Sequence, residues 1–348
     1  MTGMAQTRKH KTGFLGEGFH GRTYRLSYNS RGNTFYKHVK AHKIDSINLY
    51  VANKEETVLL SSNTEINDFM KYLHSKTDVI AKIFKNTFYY TGMTPKQDFE
   101  NEISTNKEII KRYGKNANKM LTVSPITGFN NLKIQGMHVI LMSGKELYVA
   151  FGTECRNKYA MDADKFLVEI LESLVILQAA NYQHNDIKLD NIVLCDSRYK
   201  LIDWGQAGPF DDLNFGEMMY TDPIKWYLKG APMFIAKSVM QVSSGIKNSG
   251  YRSSELFSEI YSTISAEIDT VLNTVKDTKT LLKMYRKTFD IFMVGMTLVH
   301  AIHTYKLNAH KYLPLAKMLI SIKEPIHSAA KALQTVKKYL KTYKCDSQ

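Results

Sequence analysis

The stretch His184-Asn185-Asp186-Ile187-Lys188-Leu189-Asp190-Asn191, with its sequel Leu201-Ile202-Asp203-Trp204-Gly205, decides how the rest of the chain is read. A carboxylate at 186, an amine at 188 and a carboxamide at 191 put a proton acceptor, a cation and an amide oxygen into one short loop. The apolar run Ile192-Val193-Leu194, the turn residues Cys195-Asp196-Ser197-Arg198 and the run Tyr199-Lys200-Leu201-Ile202 predict a short hairpin. Such a hairpin returns Asp203 to the side of Asn191, where two oxygen ligands suit a Mg²⁺ ion bridging the phosphates of ATP. A helix-to-strand loop with incidental polar residues is the plain alternative. The two patterns in order, 17 residues apart from Asp186 to Asp203, disfavour it.

On these residues the chain resembles the eukaryotic-type protein kinases, whose catalytic loop reads HRDxxxxN and whose metal-binding triplet reads DFG. Here the two stand as HNDIKLDN and DWG. The resemblance implies an α+β, bilobal protein-kinase-like fold with a small β-rich N-lobe and a larger, mainly α-helical C-lobe. It also implies roles: Asp186 accepts or orients the proton of the attacking hydroxyl, Lys188 stabilises the transferring phosphoryl group, and Asn191 and Asp203 hold Mg²⁺.

Composition agrees with a globular protein of this size. At 348 residues, 44% hydrophobic and 23% charged, the chain can bury a large core in two lobes and is not of disordered type. Cys155, Cys195 and Cys345 are odd in number and widely spaced, which excludes a disulfide framework or zinc spacing and favours an intracellular, cytoplasmic setting. Apolar runs fall short of a membrane span, and Arg8-Lys9-His10-Lys11 has no apolar region behind it, so neither a signal peptide nor an anchor is expected. The formal net charge of +14 favours acidic or nucleic-acid-associated protein partners. Because Lys and Arg are scattered, a solvated basic surface is favoured over a direct nucleic-acid site.

The expected organisation is a basic tail over residues 1–12, an N-lobe over 13–142 and a C-lobe over 143–348. Gly16-x-Gly18-x-x-Gly21 opens the N-lobe, and glycines at this spacing let a hairpin turn lie over phosphates without a Cβ in the way. The strand-like continuation Arg22-Thr23-Tyr24-Arg25-Leu26 favours the kinase hairpin over a dinucleotide fingerprint, which opens a helix. Residues 27–77 read as an insertion with strand-like pieces at 47–51 and 57–60 and a short helix over 65–73. The strand Asp78 to Lys85 then carries Lys82, which resembles the kinase lysine on the α- and β-phosphates. An ammonium in an apolar strand needs a partner. Glu102, on a helix predicted from Phe99 to about Gly114, is the candidate, with Glu100 as the fallback. The apolar strand 137–142 leads to Ser143-Gly144-Lys145, which stands where the family has its hinge.

In the C-lobe, Phe166, Ile170, Leu174 and Leu177 predict a helix over 162–180 that delivers the chain to the loop at 184. Residues 206–230 read as a loop in the place of the activation segment, with Ala231-Pro232-Met233 only a partial echo of the family's Ala-Pro-Glu. A helical insertion occupies about 231–288, with a helix expected over 253–285. An apolar helix from Phe289 to about Ile302 resembles the kinase DxWSxG helix, with Asp290 and Gly295 in place and Phe292 where Trp is usual. In the family that Asp braces the catalytic loop. From Asn308 the tail reads as helical and basic.

The reading that follows is an ATP- and Mg²⁺-dependent serine/threonine protein kinase. Gly16, Gly18, Gly21, Lys82, Glu102, Asn191 and Asp203 would serve the nucleotide and metal, and Asp186 and Lys188 the transfer. Asp186→Ala and Lys82→Ala are each expected to abolish transfer with little loss of folding. Asn185 replaces the Arg that receives an activation-loop phosphate, so activity is expected not to depend on phosphorylation of Tyr220 or Thr221. The alternatives are a small-molecule phosphotransferase of the aminoglycoside and choline kinase type, which shares Asp-Trp, and an inactive pseudokinase acting as a binding module. Lys188 and the glycine loop favour the protein kinase, and the pseudokinase is disfavoured because no essential polar group is missing. The insertions, short C-lobe and altered motifs resemble the divergent protein kinases of large DNA viruses, which implies a host cytoplasm or virion location.

Overall fold

The computed structural model describes residues 14–17, 21–25, 47–50, 57–60, 68, 79–84, 94–113, 131–134, 137–143, 161–195, 198–202, 204, 207–210, 255–274 and 287–346. Gly18, Asp203, Gly205, the hinge residues Gly144 and Lys145, the tail over 1–12, the segment 211–254 and residues 275–285 lie outside them, as does the helix expected over 65–73 except Asp68, which is helical. The chain divides into two compact units, Met1–Asn106 with Val123–Leu147, and Lys107–Thr122 with Tyr148–Gln348.

The first unit is built on one antiparallel sheet. Its strands are β1 (Phe14–Glu17), β2 (Gly21–Arg25), β3 (Ile47–Tyr50), β4 (Thr57–Leu60), β5 (Val79–Phe84), β6 (Asn131–Ile134) and β7 (Met137–Ser143), in the spatial order β1-β2-β5-β7-β6-β3-β4. The strand-like pieces of the insertion thus form the β3–β4 hairpin, with Ile47 opposite Leu60 and Tyr50 opposite Thr57. That hairpin adds to the outer edge of β6 and leaves β2 beside β5, so the inserted residues lengthen the sheet without separating the glycine hairpin from the Lys82 strand. Strand β6 had no clear sequence signal; it pairs with both β7 and β3.

Helix α1 (Pro95–Tyr113) starts four residues before the expected Phe99. The reason is a capping box that the sequence does contain. Thr94 N–H donates to Gln97 Oε1 at 2.8 Å, and Gln97 N–H donates to Thr94 Oγ1 at 3.2 Å, with Pro95 at the first helical position.

The second unit is mainly helical. Helix α2 (Ala163–Ala179) begins at Asp162, whose side chain accepts the Lys165 N–H, and buries Phe166, Ile170, Leu174 and Leu177. Asn181 reverses the chain in the left-handed region (φ 62°), a conformation Asn tolerates, and leads into β8 (Tyr182–Gln183). A short 3₁₀ turn (Leu189–Asn191) precedes the hairpin of β9 (Ile192–Cys195) and β10 (Arg198–Leu201). Within the stretch read as a loop, Gly208–Pro209 forms β11, paired with β8. Helix α3 (Glu255–Thr274) covers the first part of the helix expected over 253–285.

Helix α4 (Phe289–Tyr305) is buried on every side from Phe289 to Ile302, as an all-round apolar sequence requires. Helices α5 (Ala309–Ile320) and α6 (Ala329–Asp346) form the tail. Gly295 lets α4 approach α5 closely: a Cβ there would lie 2.5 Å from Ile320 Cγ2 and 2.9 Å from Leu319 Cβ. Lys311 Nζ, 2.7 Å from Asp164 Oδ1, and Tyr312 Oη, which donates to the same oxygen at 2.8 Å, tie α5 to the start of α2. Among the described residues no helix is long and apolar enough to cross a membrane.

Candidate active site

From Asn185 to Leu189 the loop alternates buried and partly exposed residues. Ile187 and Leu189 are fully buried and anchor it in the core, while Asp186 and Lys188 keep part of their side chains in contact with solvent. This pattern presents the polar groups without leaving the loop loose. Lys188 Nζ donates to both carboxylate oxygens of Asp186, at 2.9 and 2.7 Å. Asn191 Nδ2 donates to Asp186 Oδ2 at 2.7 Å and to the Asp186 carbonyl at 2.9 Å. The amine, the amide and the acid singled out in the sequence therefore form one hydrogen-bonded group. Because the Asn191 NH₂ is committed to Asp186, its Oδ1 is the atom left to face a cation.

Two side chains of α4 hold the loop's backbone. The carboxylate of buried Asp290 accepts the N–H of His184 at 2.7 Å and of Asn185 at 2.9 Å, the brace expected of this residue. Burial pushes the Asp290 carboxyl above its ordinary range, while His184 and the two N–H donors pull it back. Thr297, two turns along the same face, shares its one hydroxyl proton between the Met293 carbonyl of its own helix at 2.7 Å and the Ile187 carbonyl of the loop at 3.3 Å. The sequence reading missed Thr297; a hydroxyl inside an otherwise apolar helix was the available signal. Asn185 is buried and sits at φ 64°, a left-handed backbone that Asn tolerates.

His184 links the loop to the end of the hairpin. Its Nδ1 lies 3.3 Å from the Asp186 N, and its Nε2 lies 3.1 Å from the Ile202 carbonyl. Its ring lies 4.7 Å from that of Trp204, which is buried. The Ile202 N–H donates to the Asn191 carbonyl at 2.9 Å, so the residue before Asp203 is tied to Asn191. The position of Asp203 itself is outside the described residues.

In the first unit, Lys82 Nζ lies 2.7 Å from Glu102 Oε2, with the two side chains 7% and 2% exposed. Lys82 stands in the middle of the sheet, opposite Thr23 of β2 and Ile140 of β7. Glu100, the fallback partner, is exposed and pairs instead with Lys96 at 3.6 Å. Gly16 lies in β1 opposite Thr23, and Gly21 opens β2 opposite Phe84; Gly18, the third glycine of the pattern, lies outside the described residues. Among the described residues no three His, Cys, Asp or Glu side chains gather as a metal site. The expected pair of Asn191 with Asp203 is of a different composition. Compared with known proteins, the chain matches no protein-family model and no curated protein.

Proposed function

We propose that the chain is a serine/threonine protein kinase of bilobal fold that transfers the γ-phosphoryl group of ATP to protein hydroxyls with Mg²⁺. The observation that carries this reading is the Asp186 carboxylate. It is held at 2.7 Å by both Lys188 Nζ and Asn191 Nδ2, on a loop whose backbone is fixed by Asp290. A carboxylate oriented this way can take the proton of an attacking hydroxyl at its Oδ atoms. Lys188 brings positive charge beside it, where charge develops during transfer. Asn191 Oδ1 and Asp203 offer hard oxygen ligands that suit Mg²⁺, and Lys82, oriented by Glu102, offers a cation for the phosphates. Bound ATP and Mg²⁺ supply the phosphoryl group and neutralise its charge. The protein's share is placement and preset electrostatics.

The test offers labelled ATP and Mg²⁺ to a basic protein, an acidic protein and a panel of aminoglycosides and choline, with Asp203→Ala as control. Label on serine or threonine of a protein, lost in the control, is the expected result. Label only on a small molecule would instead favour the phosphotransferase that the Asp203-Trp204 pair also resembles. No transfer to any acceptor would leave the binding module.

A further inference from the structure

We infer that Glu169, on α2, is a positioning residue for Asn191, acting through the β9–β10 hairpin. The inference rests on the kinase reading and extends it to a residue that touches none of the reacting groups. A lone two-stranded hairpin is marginal in water and needs packing to hold its register. Here β9 starts directly after Asn191, and β10 ends one residue before Ile202, whose N–H closes back onto the Asn191 carbonyl. Any slide of β10 along α2 would therefore move Asn191.

Four positions on one face of α2 and its cap oppose that slide. Buried Glu169 accepts the Tyr199 N–H with Oε2 at 2.8 Å, and its Oε1 lies 3.7 Å from Arg198 Nε. The Tyr199 ring meets Phe166 edge-on with centroids 5.9 Å apart, and its hydroxyl accepts the Asp162 N–H at 3.2 Å. Arg198 Nη2 donates to Glu172 at 2.9 Å. Residues 162, 166, 169 and 172 recur at helical spacing, so a single rigid helix grips consecutive residues of β10. Of these contacts only Glu169 supplies a buried charged acceptor to the strand's backbone, and a charged acceptor is worth more than a neutral one. The same helix leads directly into β8 and the His184 loop, so one element sets both the acid at 186 and the amide at 191.

The test reads Mn²⁺ binding in the presence of ATP by electron paramagnetic resonance on the full chain, alongside transfer activity. Glu169→Ala is expected to weaken Mn²⁺ binding about tenfold, the usual scale for outer groups that orient metal ligands. Glu169→Gln keeps an oxygen for the Tyr199 N–H and should recover most of that loss. In the wild-type protein, hydrogen exchange should find the Tyr199 amide protected, a measurement that needs no variant to fold. The inference is overturned by a freely exchanging Tyr199 amide, by a folded Glu169→Ala with unchanged Mn²⁺ binding, or by a Glu169→Gln as impaired as the alanine variant. A wild-type chain that binds no Mn²⁺ with ATP and transfers no phosphate removes the kinase reading, and the inference with it.

Discussion

Asp290 receives the backbone N–H groups of His184 and Asn185 on its two carboxylate oxygens, at 2.7 and 2.9 Å, from more than a hundred residues further along the chain. A buried helix thereby dictates the backbone path of a loop made mostly of polar residues. Asp290→Asn keeps one acceptor but turns an NH₂ group toward an N–H donor. We expect it to cost about 2 kcal/mol of stability, the scale for an unsatisfied buried donor, and to lower transfer at least tenfold. Thermal melting and turnover of the purified variant check both, and an Asp290→Asn protein with wild-type turnover would remove the brace from the mechanism.

The burial of Lys82 with Glu102 changes what its replacement should do. The sequence suggested that Lys82→Ala would leave folding nearly intact, but a carboxylate 2% exposed would then lose its cation. Breaking a buried pair by removing one partner costs about 3–5 kcal/mol. Lys82→Ala should therefore melt earlier as well as lose transfer, and Lys82→Met with Glu102→Leu should regain the stability but not the activity. Denaturant unfolding of the three proteins separates the two effects.

Gly295 faces Ile320 and Leu319 across the tightest described glycine contact. Alanine raises helix propensity by about 1 kcal/mol, yet overpacking a filled interface costs roughly 1–3 kcal/mol. With the new methyl only 2.5 Å from Ile320 Cγ2, the second effect should win. Gly295→Ala is expected to lower the melting temperature, and an unchanged or raised value would show that α5 moves away freely.

The Tyr199 hydroxyl is pushed up from 10.0 to about 12, chiefly by burial and then by the negative charges of Asp162 and Glu169, against the Asp162 N–H that favours the phenolate. A group raised on folding contributes stability that is complete below its unfolded value and lost as pH climbs through the folded one. This contribution should thus hold below about pH 10 and disappear toward pH 12. Tyr312, raised by burial and by its hydrogen bond to Asp164, should also ionise late, so Tyr199→Phe is expected to reduce the late phase of an ultraviolet titration by one tyrosine and to flatten the alkaline unfolding curve.

Trp204 is 1% exposed, and its indole N–H meets no hydrogen-bond acceptor among the described residues. A buried unsatisfied donor costs roughly 1–3 kcal/mol, which offsets much of the area lost on trimming the ring. Trp204→Phe should stay within about 1 kcal/mol of the wild type. A much larger loss in a chemical denaturation series would point to an acceptor for that N–H.

Much of this was legible in the sequence because it depends on short-range periodicity and turn chemistry. The hairpin after Asn191, the apolar faces of α2 and α4, and the inserted strands at 47–50 and 57–60 each announce themselves within a dozen residues. The helix start at Thr94 was also there to be read, in a capping box that lies ahead of the apolar pattern.

What the sequence by itself determined was therefore the set of elements and the polar groups of the loop, since their order and spacing are local properties. Only tertiary structure decided that Glu102 and not Glu100 takes Lys82, that Thr297 joins Asp290 beneath the loop, and that Glu169 holds the outer edge of β10. Each of these choices joins residues from 20 to 110 positions apart. Such pairings follow from which faces of two elements meet, and neither stretch of chain carries that information alone.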